Sequence, residues 1–128
     1  MSLTLSSAAE SFLAENHLCT FTTLRPDGTP HVTPVRFTWD GDAGLARVMT
    51  AVTRRKARNV LAGSRRVAVC QTAGPRWITL EGTATVSDDP ARVLEGARRY
   101  AKRYWSPPPD PPGLVVVEIQ VDRVLGLY

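Results

Sequence analysis

The residues with the clearest chemical potential form a short basic segment, TRRKARN (53–59). Its four cations are Arg54, Arg55, Lys56 and Arg58. The segment is expected to open a helix, so these cations would crowd the helix end that already carries partial positive charge. Arg54 and Arg58 are also four residues apart, a like-charge spacing that costs a few tenths of a kcal/mol. A bound anion would relieve this repulsion, because both the cations and the free N–H groups of a first helical turn attract one.

The charges around this segment are also segregated. No acidic residue occurs between Asp42 and Glu81, whereas eight of the sixteen basic residues of the chain fall there. These eight are Arg47, Arg54, Arg55, Lys56, Arg58, Arg65, Arg66 and Arg76. The segregation favours an anionic partner, the alternative being a solvated basic face. Nucleic acid is disfavoured, because the basic block has few aromatic residues and no nucleic-acid-binding motif is present.

Other chemistries find little support in the sequence. No GxSxG motif occurs, and neither His17 nor His31 has a recognisable Ser or Cys partner. His31 is predicted to be a strand residue with a local hydrogen bond. Cys19 and Cys70 lie in apolar runs without metal-ligand spacing, which predicts buried reduced thiols and no metal site. No GxGxxG follows a strand, so an enzyme of this sequence would depend on another bound cofactor for its chemistry.

The elements that must position the basic segment are strands joined by short turns, with three helices inserted. Helices are predicted over 6–16 with a Ser6 or Ser7 cap, from a capping Thr53 to Gly63, and over 88–105 with Asp89 as N-cap. The last of these has apolar positions at Val93, Leu94, Ala97 and Tyr100. Six strands are predicted, over 17–24, 29–40, 45–50, 65–72, 77–87 and 113–126. This pattern predicts an antiparallel sheet or a small barrel.

Two prolines mark the second predicted strand. Pro30 and Pro34 remove two donors from its ladder, so the strand is expected at an edge or to be irregular. The chain of 128 residues is long enough for one domain, 1–128. Its first residues lack the pattern of a signal peptide, and no apolar run approaches membrane-spanning length, which predicts a cytoplasmic protein without membrane contact.

Several segments together resemble a known superfamily. TTLRPDGTPHVTPVRFTWD, ARVMT, RRKARNV and RWITLEGTATVSDD, in this order, resemble the split β-barrel flavin and deazaflavin oxidoreductases, which include pyridoxamine 5'-phosphate oxidase. RRYAKRYWSPPPDPP and VVVEIQVDRVLG are more narrowly similar to the coenzyme F-420-dependent group, especially its biliverdin reductases. The resemblance covers about Leu5 to Gly126. It implies a mainly β fold with α, a six-stranded antiparallel split β-barrel with three short helices, and a homodimer with the cofactor at the subunit interface.

The resemblance also implies a set of cofactor-binding residues. Arg55 and Lys56 would hold the cofactor phosphate, with Asn59 one turn further along the helix. The ring would be lined or approached by Thr33, Pro34, Val35, Met49 and Thr50, with Gln71 and Trp77 as additional contacts, Trp77 from the partner subunit. Arg47, Arg54 and Arg58 are expected to accompany the oligoglutamate tail of F-420, which FMN lacks.

The function implied is transfer of a hydride from the reduced deazaflavin to a conjugated acceptor, with biliverdin as the leading substrate. No residue is predicted as a covalent or acid–base catalyst. The alternatives are an FMN-dependent oxidoreductase of the same fold and a non-catalytic carrier of a flavin, deazaflavin or tetrapyrrole. The chain ends at RVLGLY, without the longer substrate-binding segment of pyridoxamine phosphate oxidases, and Arg36 stands where the biliverdin reductases are expected to carry a small or apolar residue.

Overall fold

The computed structural model describes residues 3–128 as seven strands and three helices. The helices are α1 (Ser7–Ala14), α2 (Arg55–Leu61) and α3 (Pro90–Tyr104). The strands are β1 (Cys19–Leu24), β2 (Pro30–Val35), β3 (Thr38–Asp40), β4 (Leu45–Ala51), β5 (Arg66–Ala73), β6 (Arg76–Ser87) and β7 (Leu114–Leu127). None of the helices in this part of the chain is both long enough and apolar enough to cross a membrane.

The strands form one antiparallel sheet in the order β2-β1-β5-β6-β7-β4-β3. The predicted mainly β fold, with an antiparallel sheet and three helices, is confirmed. The predicted number of six strands is wrong: residues 3–128 form seven strands in a sheet that does not close, because the strand predicted over 29–40 is interrupted at Arg36 and Phe37. Its two pieces, β2 and β3, lie at opposite edges of the sheet. The carbonyl of Phe37 accepts hydrogen bonds from Arg103 and Tyr104 side chains instead of from a neighbouring strand.

The edge position of β2 confirms the prediction made from its prolines. β2 pairs only with β1 in the described part of the sheet, with Pro30 opposite Leu24 and Pro34 opposite Thr20. An edge strand has one side without a hydrogen-bonded neighbour, so the missing N–H groups cost little.

The helix caps are confirmed at two of the three helices. The Ser6 hydroxyl accepts from a first-turn N–H of α1, and the Asp89 carboxylate does the same for α3, with Pro90 at its first position. The Thr53 cap is wrong, because the backbone is still extended at Arg54 and the helix begins one residue later than expected. Arg54 forms no side-chain cap. The first turn of α2 therefore has neither an acid nor a capping hydroxyl.

Helix α3 packs on the sheet through a stripe that differs from the predicted one. The stripe consists of Gly96, Tyr100, Arg103 and Tyr104. A Cβ at Gly96 would lie 2.6 Å from the Sδ of Met49, so the absence of a side chain allows the helix to approach β4 and β7. Leu94, predicted on the apolar side, is 70% exposed because it lies about 200° around the helix from Gly96.

The core lies between the sheet and α1, with the large side chains Phe12, Phe21, Phe37, Ile78 and Leu80 fully buried. The predicted inward face of β7 is confirmed: Val115, Val117, Ile119 and Val121 are all buried. Of the two thiols, Cys19 is buried as predicted and Cys70 is only half-buried.

Arg103 connects these layers although it is charged. It is only 8% exposed, and it donates to the carbonyl oxygens of Glu15 (3.0 Å) and Phe37 (2.6 Å) and to the side-chain oxygen of Gln71. The amide nitrogen of Gln71 in turn donates to the Phe12 carbonyl at 2.7 Å. One guanidinium thus ties α3 to α1, to β5 and to the break between β2 and β3.

Replacement of Arg103 by Met is expected to destabilise the fold by about 3 kcal/mol, while the side-chain volume is largely kept. The carbonyl of Glu15 and the side-chain oxygen of Gln71 lose the guanidinium donor, and the carbonyl of Phe37 keeps only the hydroxyl of Tyr104. The measurement is the free energy of unfolding in urea. The matched control is Arg98→Met on the same helix: Arg98 is 60% exposed and bonds only Glu95, so a change within about 0.5 kcal/mol is expected. Equal losses in the two variants would contradict the structural role of Arg103.

Candidate functional site

A cleft of about 330 Å³ lies where the ends of β2 and β4 meet the start of α2 and the middle of α3. We refer to it as the Lys56 cleft. It is lined by Leu18, Pro34, Val35, Arg36, Met49, Lys56, Tyr100 and Pro109. Four of the ten predicted site residues, Pro34, Val35, Met49 and Lys56, are therefore in one place.

The fold explains why these four residues meet. β4 ends at Ala51 and α2 begins at Arg55, so a connection of three residues keeps Met49 beside Lys56. Met49 is also held from behind by the close approach of α3 at Gly96. Pro34 and Val35 are the last residues of β2, immediately before the break at which the chain crosses to the other edge of the sheet.

Four further predicted residues do not line the cleft, but they belong to the elements β2, β4 and α2 that form it. Arg55 is exposed at the first position of α2, and Thr33 lies on the same face of β2 as Val35. Thr50 and Asn59 are buried. The Asn59 amide donates to the Thr23 hydroxyl at 2.9 Å, which anchors α2 to β1, and its Oδ1 has no hydrogen-bond partner among residues 3–128.

The last two predicted residues are not brought to this cleft. Gln71 is fully buried, and its amide group is engaged by Phe12 and Arg103. The structure thus uses Gln71 in the core. Trp77 is 39% exposed on β6, where it pairs with Leu127 of β7. Its contribution to a partner's site stays a prediction.

The basic block between Asp42 and Glu81 is partly neutralised within the chain. Arg47 is only 7% exposed and pairs with Asp40 at 2.8 Å and with Glu118 at 3.8 Å, so the expectation that it faces a cofactor tail is wrong. Arg66 and Arg76 also have carboxylate partners. Within residues 3–128, the cations of this basic block that form no salt bridge are Arg54, Arg55, Lys56, Arg58 and Arg65. The uncompensated charge is therefore concentrated on and beside α2.

Burial adds to the cost of this charge. It lowers the pKa of the Lys56 ammonium, and the nearby charge of Arg54 lowers that pKa further. The pKa of His31 is lowered by burial and by the charges of Arg25, Lys56 and Arg55. An anion bound here would favour the charged form of Lys56 and offset this cost.

Four lining residues were not predicted from the sequence as parts of a site. Tyr100 was assigned to the packing face of α3, and it does pack there, with its ring 5.0 Å from that of Tyr104. Leu18 directly precedes β1 and Pro109 lies in the connection after α3. They fall in a predicted strand and in a family-like segment of the sequence, but neither was predicted as a site residue. Arg36 was noted only as a departure from the family pattern, and its guanidinium lies 5.6 Å from the centre of the Tyr104 ring.

His31 differs from its prediction. Its Nδ1 is buried and has no hydrogen-bond partner in the described part of the chain, so the predicted local hydrogen bond is wrong at this atom. His31 pairs across the ladder with Thr23, whose hydroxyl accepts from Asn59, so His31 lies beside α2.

A second cleft, of about 260 Å³, lies between α1, β3 and α3. Its lining contains none of the predicted site residues: it consists of Glu10, Leu13, Ala14, Thr38, Trp39, Arg99, Lys102 and Arg103. Arg99 pairs with Asp40 and Glu95, and Arg103 is engaged in the core. The Lys56 cleft is therefore the better candidate for an anionic ligand.

Comparison with known proteins places this chain in a family. The family model described as pyridoxamine 5'-phosphate oxidase matches residues 5–128. A relative from Mycobacterium tuberculosis (strain CDC 1551 / Oshkosh), named F-420H(2)-dependent biliverdin reductase, is 45% identical over 122 residues, which cover 95% of this chain and 88% of the relative.

Solved structures agree with this assignment. One described as an F-420 reductase superposes with a TM-score of 0.75 at 27% identity, covering 94% of this chain and 98% of the other. A putative pyridoxamine 5'-phosphate oxidase from Listeria innocua shares the fold, with a TM-score of 0.73 at 20% identity and coverage of 94% and 95%. The match over nearly the whole chain confirms the resemblance drawn from the sequence segments, and the chain belongs to the pyridoxamine 5'-phosphate oxidase family.

Proposed function

We propose that this protein is a coenzyme F-420-dependent reductase that passes a hydride from the reduced deazaflavin to a conjugated acceptor. The observation that carries the proposal is the pair Arg55 and Lys56, which has no carboxylate partner among residues 3–128 and stands at the uncapped start of α2 beside the Lys56 cleft. The 45% identical relative is named for the same cofactor.

The residues present fit a phosphorylated cofactor with a flat ring. Arg55 and Lys56 would bind the phosphate, because two cations that lack internal partners gain most from an external anion. Pro34, Val35 and Met49 offer an apolar wall on which a ring can lie. When bound, the reduced deazaflavin supplies the hydride. The chain itself binds the cofactor, orients it against the acceptor and excludes water, which is how a protein promotes such a transfer without a covalent catalyst.

The exposed cations favour F-420 over FMN. Arg54, Arg58 and Arg65 are exposed and have no salt bridge within residues 3–128. The oligoglutamate tail of F-420 would place carboxylates near them, whereas FMN carries no such tail. Cations of this kind raise the association rate of an anionic ligand more than they raise its final affinity.

Biliverdin is the proposed acceptor. It is a conjugated tetrapyrrole with two propionate groups, and the relative is named for its reduction. Arg36 lies on the wall of the Lys56 cleft and has no salt bridge in the described part of the chain, so it can pair with a propionate. The lining of the cleft contains two cations, Lys56 and Arg36. Because Lys56 is assigned to the cofactor phosphate, Arg36 is the one available to the acceptor.

We also propose that the active form is a homodimer. Trp77 and Leu127 are paired on neighbouring strands and exposed by 39% and 66%, and the exposed Leu125 lies on the same face of β7 as Leu127. A contiguous exposed apolar surface of this kind is typical of a protein interface. Sedimentation of the protein at several concentrations tests the assembly.

Two measurements separate the proposal from its alternatives. Titration of the apo-protein with F-420 and, separately, with FMN is expected to show tighter binding of F-420; tighter FMN binding would favour the flavin alternative. Reduced F-420 is then mixed with biliverdin and protein while both absorbances are followed. Binding of both molecules without turnover would identify a carrier and overturn the reductase.

Replacement of Lys56 by Ala is expected to weaken F-420 binding by about 1.5–3 kcal/mol, the range for a hydrogen bond to a charged group. Without cofactor, its stability is expected to be unchanged or slightly higher, because a repulsive and half-buried charge is removed. Lys102→Ala, which removes the same charge from the second cleft, is the control and should bind F-420 as the unmodified protein does. Unchanged affinity in Lys56→Ala would contradict the phosphate assignment.

Replacement of Arg36 by Gln is expected to raise the KM for biliverdin about tenfold, since it removes a charge-assisted hydrogen bond to a propionate. The KM for biliverdin dimethyl ester, which carries no propionate charge, should not change, and the affinity for F-420 should also be unaffected. Steady-state kinetics with both acceptors provide the test. An equal rise in KM for biliverdin and for its dimethyl ester would show that Arg36 shapes the cleft without binding the propionate.

A further inference from the structure

His31 occupies a distinctive position in the sheet. It alternates along β2 with Thr33 and Val35, so the three side chains share one face of the edge strand. Directly across the ladder is Thr23, which is fully buried and whose hydroxyl accepts the hydrogen bond from Asn59 of α2. Because directly paired residues have Cβ atoms only about 5 Å apart, His31 stands beside the point where α2 is anchored to the sheet.

The burial of one ring nitrogen favours one tautomer of His31. Its Nδ1 is buried without a hydrogen-bond partner among residues 3–128. A proton on Nδ1 would be a buried donor without an acceptor, which is costly, whereas a bare lone pair at this position is tolerated more easily. The hydrogen of neutral His31 therefore belongs on Nε2. Burial and the neighbouring cations also lower the pKa of the ring, which favours the neutral form.

Three cations from two elements act on this ring: Arg25 from the β1–β2 turn, and Arg55 and Lys56 from α2. None of the three has a salt bridge in the described part of the chain. Arg25 is held by the Pro30 carbonyl at 2.7 Å, and the nearby Asp27 carboxylate is engaged with Thr29. A fourth cation here would add repulsion. A neutral N–H donor can bind the same anion without that cost.

We propose that His31 is a ligand-binding residue, whose Nε2–H donates a hydrogen bond to the phosphate group held by Arg55 and Lys56. The inference rests on the proposed function, since it assigns one more donor to the same cofactor site. It extends that site along β2, so that Val35 and Thr33 face the ring and His31 faces the phosphate. The cofactor-binding residues implied by the family resemblance did not include His31, and His31 is not among the residues that line the Lys56 cleft.

The affinity test uses two substitutions and two ligands. His31→Phe keeps a planar ring without a donor, and His31→Gln places an amide N–H close to the former Nε2. His31→Phe is expected to bind F-420 about tenfold more weakly, and His31→Gln to restore the affinity to within about twofold. The second ligand is the deazaflavin chromophore without phosphate and tail, which both variants should bind as well as the unmodified protein does. Thermal unfolding confirms that both variants are folded.

Each outcome bears on a different part of the inference. Unchanged F-420 affinity in His31→Phe would overturn the role of His31 and leave the proposed function standing. Equal losses for F-420 and for the phosphate-free chromophore would assign His31 a structural role only. Failure of the unmodified protein to bind F-420 would overturn the proposed function together with this inference.

The tautomer is tested without any ligand. Nitrogen-15 spectra of the histidine rings in the apo-protein near neutral pH are expected to show neutral His31 with its hydrogen on Nε2, and addition of F-420 is expected to shift that resonance. A hydrogen on Nδ1, or an Nε2 resonance that does not respond to F-420, would overturn the proposal.

Discussion

The hydrogen bond from Arg103 to the carbonyl of Phe37 is the interaction on which the site depends most. It stabilises the break at which the chain leaves β2 and crosses to β3 on the far edge of the sheet. Val35 and Arg36, which stand at this break, both line the Lys56 cleft. Since Tyr104 donates to the same carbonyl, α3 is fixed at its C-terminal end by two donors. The same helix presents Tyr100 to the cleft one turn earlier.

The arginines of this chain serve two opposite purposes. Arg47 and Arg103 are buried, and each has partners within the chain. Arg47 pairs with carboxylates, although its Nε has no hydrogen-bond partner among residues 3–128, and Arg103 donates to neutral oxygens. Buried charges require such partners, because an unpaired ion in the interior costs several kcal/mol. Arg55 and Lys56 have no salt-bridge partner among residues 3–128; Arg55 is exposed and Lys56 is half-buried, so solvent compensates for most of their charge. The difference separates residues that hold the fold from residues that are available to an anion.

Sequence reasoning succeeded where the signal is local. The Asp89–Pro90 start of α3, the edge position implied by Pro30 and Pro34, and the cation cluster at 54–58 each depend on residues that are neighbours in the chain. It failed where the cause is distant. The alternation of Val35, Phe37 and Trp39 continues through the break at Arg36, and the interruption becomes visible only when Arg103 is seen to take the Phe37 carbonyl. The exposure of Leu94 likewise follows from the contact between Gly96 and Met49.

The same distinction explains which site residues could be foreseen. Arg55 and Lys56 violate a local rule, since they place positive charge at the positive end of a helix, and a local violation of this kind often marks function. His31 violates a rule that only the fold reveals, because its orphaned Nδ1 depends on what covers the ring. Both are small costs that the empty protein carries, and both lie within the region where an anion would act. Arg55, Lys56 and His31 each lower the stability of the empty protein slightly, and binding of one anion would recover that stability at all three residues.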